Sequence, residues 1–116
     1  MKNAWLAVVL TVSVRAMSGQ TVIVDPGTWV CGSTPAAFWE LTRAAVRKDG
    51  SLTKTMNLTH SFALIDGTQV KVLERGAAAT KVRVAGQYDP DDRRVHAWPE
   101  DRRIGRECWV ASEAVK

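Results

Sequence analysis

Tyrosine occurs once in the 116 residues, and phenylalanine, cysteine and histidine twice each. Cys31, His60, His96 and Cys108 stand far apart, without the close ligand pairs of a zinc site, so no metal centre is expected. Internal repeats and Gly/Ser linkers are missing, which leaves one small domain. No cofactor motif is present. Ser51, His60 and Asp66 fall in a catalytic order, but no strand–turn–helix elbow surrounds Ser51. Cys31 with His60 imitates a thiol hydrolase in a chain too short for a typical substrate cleft, so no enzyme activity is expected. Charge of one sign is also scarce. The 16 basic and 12 acidic residues give a net +4, and without Lys2 and Arg15 the count is 14 against 12. So small an excess does not call for nucleic acid or an anionic membrane as a partner. A composition 46% hydrophobic and 24% charged excludes a disordered polymer, a collagen and a multi-span membrane protein.

The single long apolar run is Ala4 to Val14, preceded by Lys2. It is about half of the roughly 20 residues that a spanning helix needs. Ala16-Met17-Ser18 sets small residues three and one before a cut ahead of Gly19, so residues 1–18 read as a secretory signal and 19–116 as the mature domain. Arg15 is out of keeping with this reading, and an amphipathic helix or a buried first strand is the alternative. No cysteine follows the run to carry a lipid anchor. Export, secreted or periplasmic, places Cys31 and Cys108 in an oxidising compartment, where an even pair normally forms a bridge. The alternative is a reactive thiol at Cys31, just ahead of a helix start.

Thr21–Val24 and 29–31 read as short strands around the turn Asp25-Pro26-Gly27. Thr34 and Pro35 form a capped helix start. Phe38, Leu41, Ala44 and Ala45 make an apolar stripe, and Asp49-Gly50 closes a helix over about residues 35–48. The polar stretch 51–61 reads as irregular chain. Phe62 to Ile65 is strand-like, and Val70 and Val72 alternate with polar residues, as do Val82 and Val84, which predicts a hairpin with valines inward. Cys108-Trp109-Val110 is a last strand. Trp29 and Trp39 are expected to pack in the core, where the helix meets the sheet. These elements predict a mainly β fold, a small barrel with one helix.

The segments Leu64-Ile65-Asp66-Gly67-Thr68-Gln69-Val70-Lys71-Val72, Lys81-Val82-Arg83-Val84 and Gly105-Arg106-Glu107-Cys108-Trp109-Val110-Ala111 together resemble a bacterial SH3-like domain. The pattern is a Gly-Thr before a first Val-x-Val strand, a second such strand, and a Gly-Trp-Val strand followed by a one-turn helix. Here Cys108 stands in the place of that glycine, as a bridge from the last strand to Cys31 in the first would explain. The resemblance implies an SH3-like barrel with the helix near 35–48 as an insertion. Ala111 and Ala114 replace the proline and tyrosine of the eukaryotic peptide groove, so recognition of proline-rich helices is not implied. Exported members of the family often bind cell-wall peptides or accompany wall-cleaving domains, and no catalytic domain accompanies this module.

The polar stretch 86–106 carries Tyr88, His96, Trp98 and the arginines Arg93, Arg94, Arg102, Arg103 and Arg106 among as many acids. Aromatics beside arginines stack on sugars or partner side chains. The balancing acids argue against tracking phosphates, and a merely solvated loop is the competing reading. Tyr88, Trp98, Trp109, Arg93 and Arg94 are therefore the candidate ligand-binding residues, with no catalytic residue and no metal ligand among them. The function expected is non-catalytic binding of cell-wall peptide or glycan in the bacterial envelope. The alternative is an interaction module that inhibits or regulates an envelope enzyme. Neither nucleic acid nor stable membrane insertion is expected.

Overall fold

A computed structural model describes residues 17–116. The signal sequence expected in 1–18 rests on Ala4 to Val14, which lie outside the described residues. The elements are β1 (Thr21–Ile23), β2 (Trp29–Cys31), α1 (Pro35–Arg47), α2 (Ser51–Leu58), β3 (Phe62–Leu64), β4 (Thr68–Glu74), β5 (Ala79–Asp89), β6 (Arg94–His96) and β7 (Glu107–Ala111), followed by a 3-10 turn at Ser112–Val115. The described residues are mainly β, in two sheets with two helices. Among the described residues no helix is long and apolar enough to cross a membrane.

The long strand β5 organises the larger sheet. One of its edges carries β4, and β1 lies beyond β4; the other edge is shared by β7 and, further along, β6. All these pairs are antiparallel. Val70 faces Val84 and Val72 faces Val82 across the β4–β5 ladder, so the alternating valines fall on one side. All four are buried, with Leu64, Val110 and Val115, in a single apolar cluster. Each such side chain is worth roughly 1.5–3 kcal/mol when taken fully out of water. Gly67, at φ 86, makes the turn into β4 in a left-handed conformation that other residues rarely adopt.

The smaller sheet is the pair β2–β3, in which Cys31 faces Phe62. It meets β7 through two backbone hydrogen bonds. Gly32 N donates to Trp109 O at 2.8 Å, and Trp109 N donates to Gly32 O at 2.7 Å. Beside this bridge Cys31 and Cys108 are joined by a disulfide with Cα atoms 5.4 Å apart. Gly32 has no room for a side chain, because a Cβ there would run into the backbone of Phe38 in α1. Pairing therefore gives two sheets stitched at one bridge, and no closed ring of strands is found among the described residues.

Two helices, not one, fill the chain between β2 and β3. Thr34 caps α1 by accepting from Ala37 N at 3.0 Å, and Pro35 occupies the first turn. Ala37, Phe38, Leu41 and Ala44 are its buried residues; Ala45, expected in the stripe, is exposed. Lys48, left-handed at φ 56, ends α1. Gly50 opens α2, so Asp49-Gly50 links two helices rather than closing one. The stretch 51–61 departs from the irregular chain expected there. Leu52 and Met56, one turn apart, are half-buried and give α2 a weak inner face against α1. Gly50 offers no capping side chain, and Asp49 Oδ1 takes Ser51 N at 2.9 Å just ahead of it, so α2 has modest local support and depends on that packing as well.

The disulfide closes a loop spanning 77 residues. Removing it should cost up to about 4 kcal/mol on the chain-entropy account. We expect no alkylation of the native chain, two alkylated thiols after unfolding and reduction, and a urea midpoint clearly lowered in the Cys31→Ala/Cys108→Ala variant. Intact mass and urea titration check this, and free thiols before reduction would contradict it.

Candidate functional site

The five residues singled out in the sequence fall in two places. Tyr88 lies on β5 opposite Val95 of β6, and Arg93 and Arg94 stand at the turn joining these strands. The polar stretch from 86 is thus partly a β-ribbon, because β5 continues to Asp89 and pairs with β6. Trp98 stacks on His96 with ring centroids 4.9 Å apart and planes 20° from parallel. Trp109 sits elsewhere. It pairs with Lys81, seven residues back along β5 from Tyr88, or on the order of 20 Å at the strand rise. Tyr88, Arg93, Arg94 and Trp98 therefore belong to one ribbon end, and Trp109 belongs to the junction of the two sheets.

At that ribbon end the carboxylates build the turn. Asp89 Oδ1 accepts from Asp91 N at 2.9 Å, Asp92 Oδ1 accepts from Arg94 N at 3.1 Å, and Asp92 Oδ2 lies 2.5 Å from His96 Nε2. The ligating atoms of Asp89, Asp92 and His96 lie within 4.8 Å of one another, so these three are the residues that could hold a cation. Their hydrogen bonds account for the cluster as turn chemistry.

The segment after β6 is tied to the sheet. Asp101 takes Arg103 Nε at 3.0 Å on one oxygen and Nη2 at 2.8 Å on the other. Arg103 also reaches Gln87 Oε1 at 3.3 Å and Thr68 Oγ1 at 3.4 Å. Arg106 donates to His60 O at 2.7 Å and lies over the Phe62 ring at 4.3 Å. Arg103 and Arg106 thus tie the segment to the sheets, Arg106 while remaining exposed; Arg93, Arg94 and Arg102 are exposed too.

A separate concavity has none of the ribbon-end residues in its lining. An open groove of about 670 Å³ runs between α1 and the β4–β5 turn. Trp29, Phe38 and Trp39 form an aromatic wall, and Ala77, Ala78 and Ala111 keep the opposite side low. Phe38 and Trp39 meet edge to face at 5.2 Å. Trp29 Nε1 donates to Asp25 O at 2.9 Å, which orients that ring. Trp39 is 47% exposed, so it lines an opening rather than the core position expected for it. Arg75, Glu113 and Lys116 supply charge. Ser112 also lines the groove, but its hydroxyl is engaged: it donates to Gly76 O at 2.8 Å and pairs with buried Thr80 Oγ1 at 2.7 Å. The sequence signal for this site was present in Trp29 and Trp39, which flank the helix start. Trp29 packs against the buried cluster as expected, and Trp39 is the one that departs from the core position.

No family model, no curated protein and no solved structure matches the chain.

Hydrogen bonds from the Arg103 guanidinium hold the Asp101 carboxyl below its ordinary range, against the opposing effect of burial. A carboxyl so lowered stabilises the fold fully above its unfolded value of about 4, and the contribution is lost as pH falls through the folded value. Asp101→Asn should therefore cost about 1–2 kcal/mol near pH 7. That difference from the parent chain should shrink as pH drops below about 4. Urea titrations at a series of pH values check this, and a difference independent of pH would contradict it.

Proposed function

We propose that the protein is an exported, non-catalytic binding module of the bacterial envelope that takes cell-wall peptide or glycan in the groove beside α1. The observation that carries this reading is the aromatic wall of Trp29, Phe38 and Trp39 facing a low alanine side with charged groups at hand. Exposed aromatic faces such as that of Trp39, with a few polar groups beside them, suit sugars and short peptides. The groove lining includes no imidazole and no thiol, and its serine hydroxyl is already engaged, which favours binding over chemistry. The disulfide supports export, because such bonds persist in oxidising compartments. Gly19, the expected first residue after cleavage, donates to Val72 O at 2.6 Å, so a mature chain beginning there would be tied to the sheet from its first residue.

An SH3-like barrel is part of the same proposal. Gly67 before β4, the inward valines of β4 and β5, half-buried Trp109 beside buried Val110, and the 3-10 turn after β7 follow the order of the family pattern. The two-helix insertion then lies in the loop between β2 and β3. A second reading, an inhibitor or regulator of an envelope enzyme, draws on the exposed apolar residues of the helices, Trp39, Val46 and Leu58.

Sedimentation with purified peptidoglycan at low salt separates the readings. Under the first, the protein pellets with the wall, and Trp39→Ala weakens this by about tenfold, the 1.4 kcal/mol of a modest aromatic contact. Trp98→Ala, at the ribbon end, should have little effect. No pelleting, together with a stable protein complex on affinity capture from the envelope, would favour the second reading.

A further inference from the structure

Arg75 follows β4 directly and lines the groove, where the turn of Gly76 and the alanines passes. Its Nη1 donates to Val115 O at 2.6 Å. Its Nε is buried and has no hydrogen-bond partner. Among the described residues no carboxylate lies within ion-pair distance of it; the ion pairs present use other cations. Glu113 lines the same groove, and no ion pair among the described residues joins it to Arg75. A guanidinium has five donors in a planar fork and stays charged at all ordinary pH. Holding such a group half-buried beside an apolar wall without a counter-ion is costly, and a buried donor left unmade adds to the cost. A fold stabilised elsewhere can carry that cost where the counter-ion arrives with a ligand.

We propose that the ligand of this groove presents a free carboxylate, such as a peptide C-terminus, and that Arg75 receives it while the aromatic wall takes the adjoining apolar part. The inference rests on the groove being the binding site and adds the chemical class of the group recognised. It favours peptide over neutral glycan. With Nε buried and one Nη1 proton given to Val115 O, the edge of the fork left for a ligand is Nη2 with the second Nη1 proton; it matches a carboxylate in two parallel hydrogen bonds, which an amide cannot reproduce with the same charge. Nearby Lys116 also lines the groove, but its ammonium is paired with Asp25 at 3.7 Å, so among the described lining residues Arg75 is the cation with no carboxylate partner.

The test uses acetyl-Lys-D-Ala-D-Ala and its C-terminal amide as probes, followed by NMR on the folded domain. The sequestered Nε–H of Arg75 should exchange slowly enough with water to give its own signal, and the indole N–H signals of Trp29 and Trp39 report the groove. We expect the free acid to shift all three signals and to bind at least about tenfold more tightly than the amide. Arg75→Gln should abolish this preference and Arg75→Lys should keep part of it. If Arg75→Gln does not fold, the acid–amide comparison on the parent protein decides alone. Equal shifts of the indole signals by both probes would overturn the carboxylate assignment and leave the groove reading intact. No shift by either probe at millimolar concentration, with Trp39-dependent pelleting on peptidoglycan retained, would overturn the carboxylate assignment while the wall-binding reading stands. Acid-specific shifts without any pelleting would keep Arg75 as the receptor and remove the wall as its source.

Discussion

The junction at Cys31–Gly32 and Cys108–Trp109 holds the two sheets together. One covalent bond and two backbone hydrogen bonds act within two residues of each other. A two-stranded sheet as short as β2–β3 has little stability alone. Attached to β7, it shares the buried valine cluster through Leu64, Phe62 and Cys31. The same junction sets the position of α1, because Gly32 brings the end of β2 against the backbone of Phe38. The groove wall is therefore as rigid as this junction.

The opposite side of the groove has its own fastening. Ser112 and Thr80 share a buried hydroxyl pair, Ser112 donates onward to Gly76 O, and Ser112 N donates to Ala78 O at 2.9 Å. These bonds clamp the β4–β5 turn onto the 3-10 turn and bring Arg75 to Val115 O. Buried hydroxyls satisfied in a chain lock geometry more than they add net stability. The site thus has two pre-formed halves: an aromatic wall set by the disulfide junction, and a polar corner set by the hydroxyl chain. Preorganisation of this kind lowers the ordering cost of binding.

Much of this was legible in the residues. Val70, Val72, Val82 and Val84 predict their own pairing because period-two alternation has one physical reading when one face is buried. Thr34-Pro35 predicts the helix start through local capping chemistry. The cysteine pair followed from compartment and parity. What was not legible depended on weak local signals. The α2 segment has only Leu52 and Met56 to turn inward, and β6 is three residues long, so neither carries enough periodicity to stand out. Trp39 was misplaced because an aromatic near a helix start suits a core and a groove wall equally well.

The sequence alone determined the elements whose stability is local: the alternating strands, the capped helix, the tight turn at Gly67 and the presence of a cysteine pair able to bridge. These follow from backbone preferences and side-chain periodicity, which act over a few residues. Only the tertiary structure decided the site. Trp29, Trp39, Arg75 and Glu113 come from four separate segments. Their convergence, and the absence among the described residues of a carboxylate paired with Arg75, arise from long-range packing that no window along the chain contains. In the same way, the register of β5 separated Trp109 from Tyr88, because distance along a strand, not proximity in composition, sets which side chains can meet.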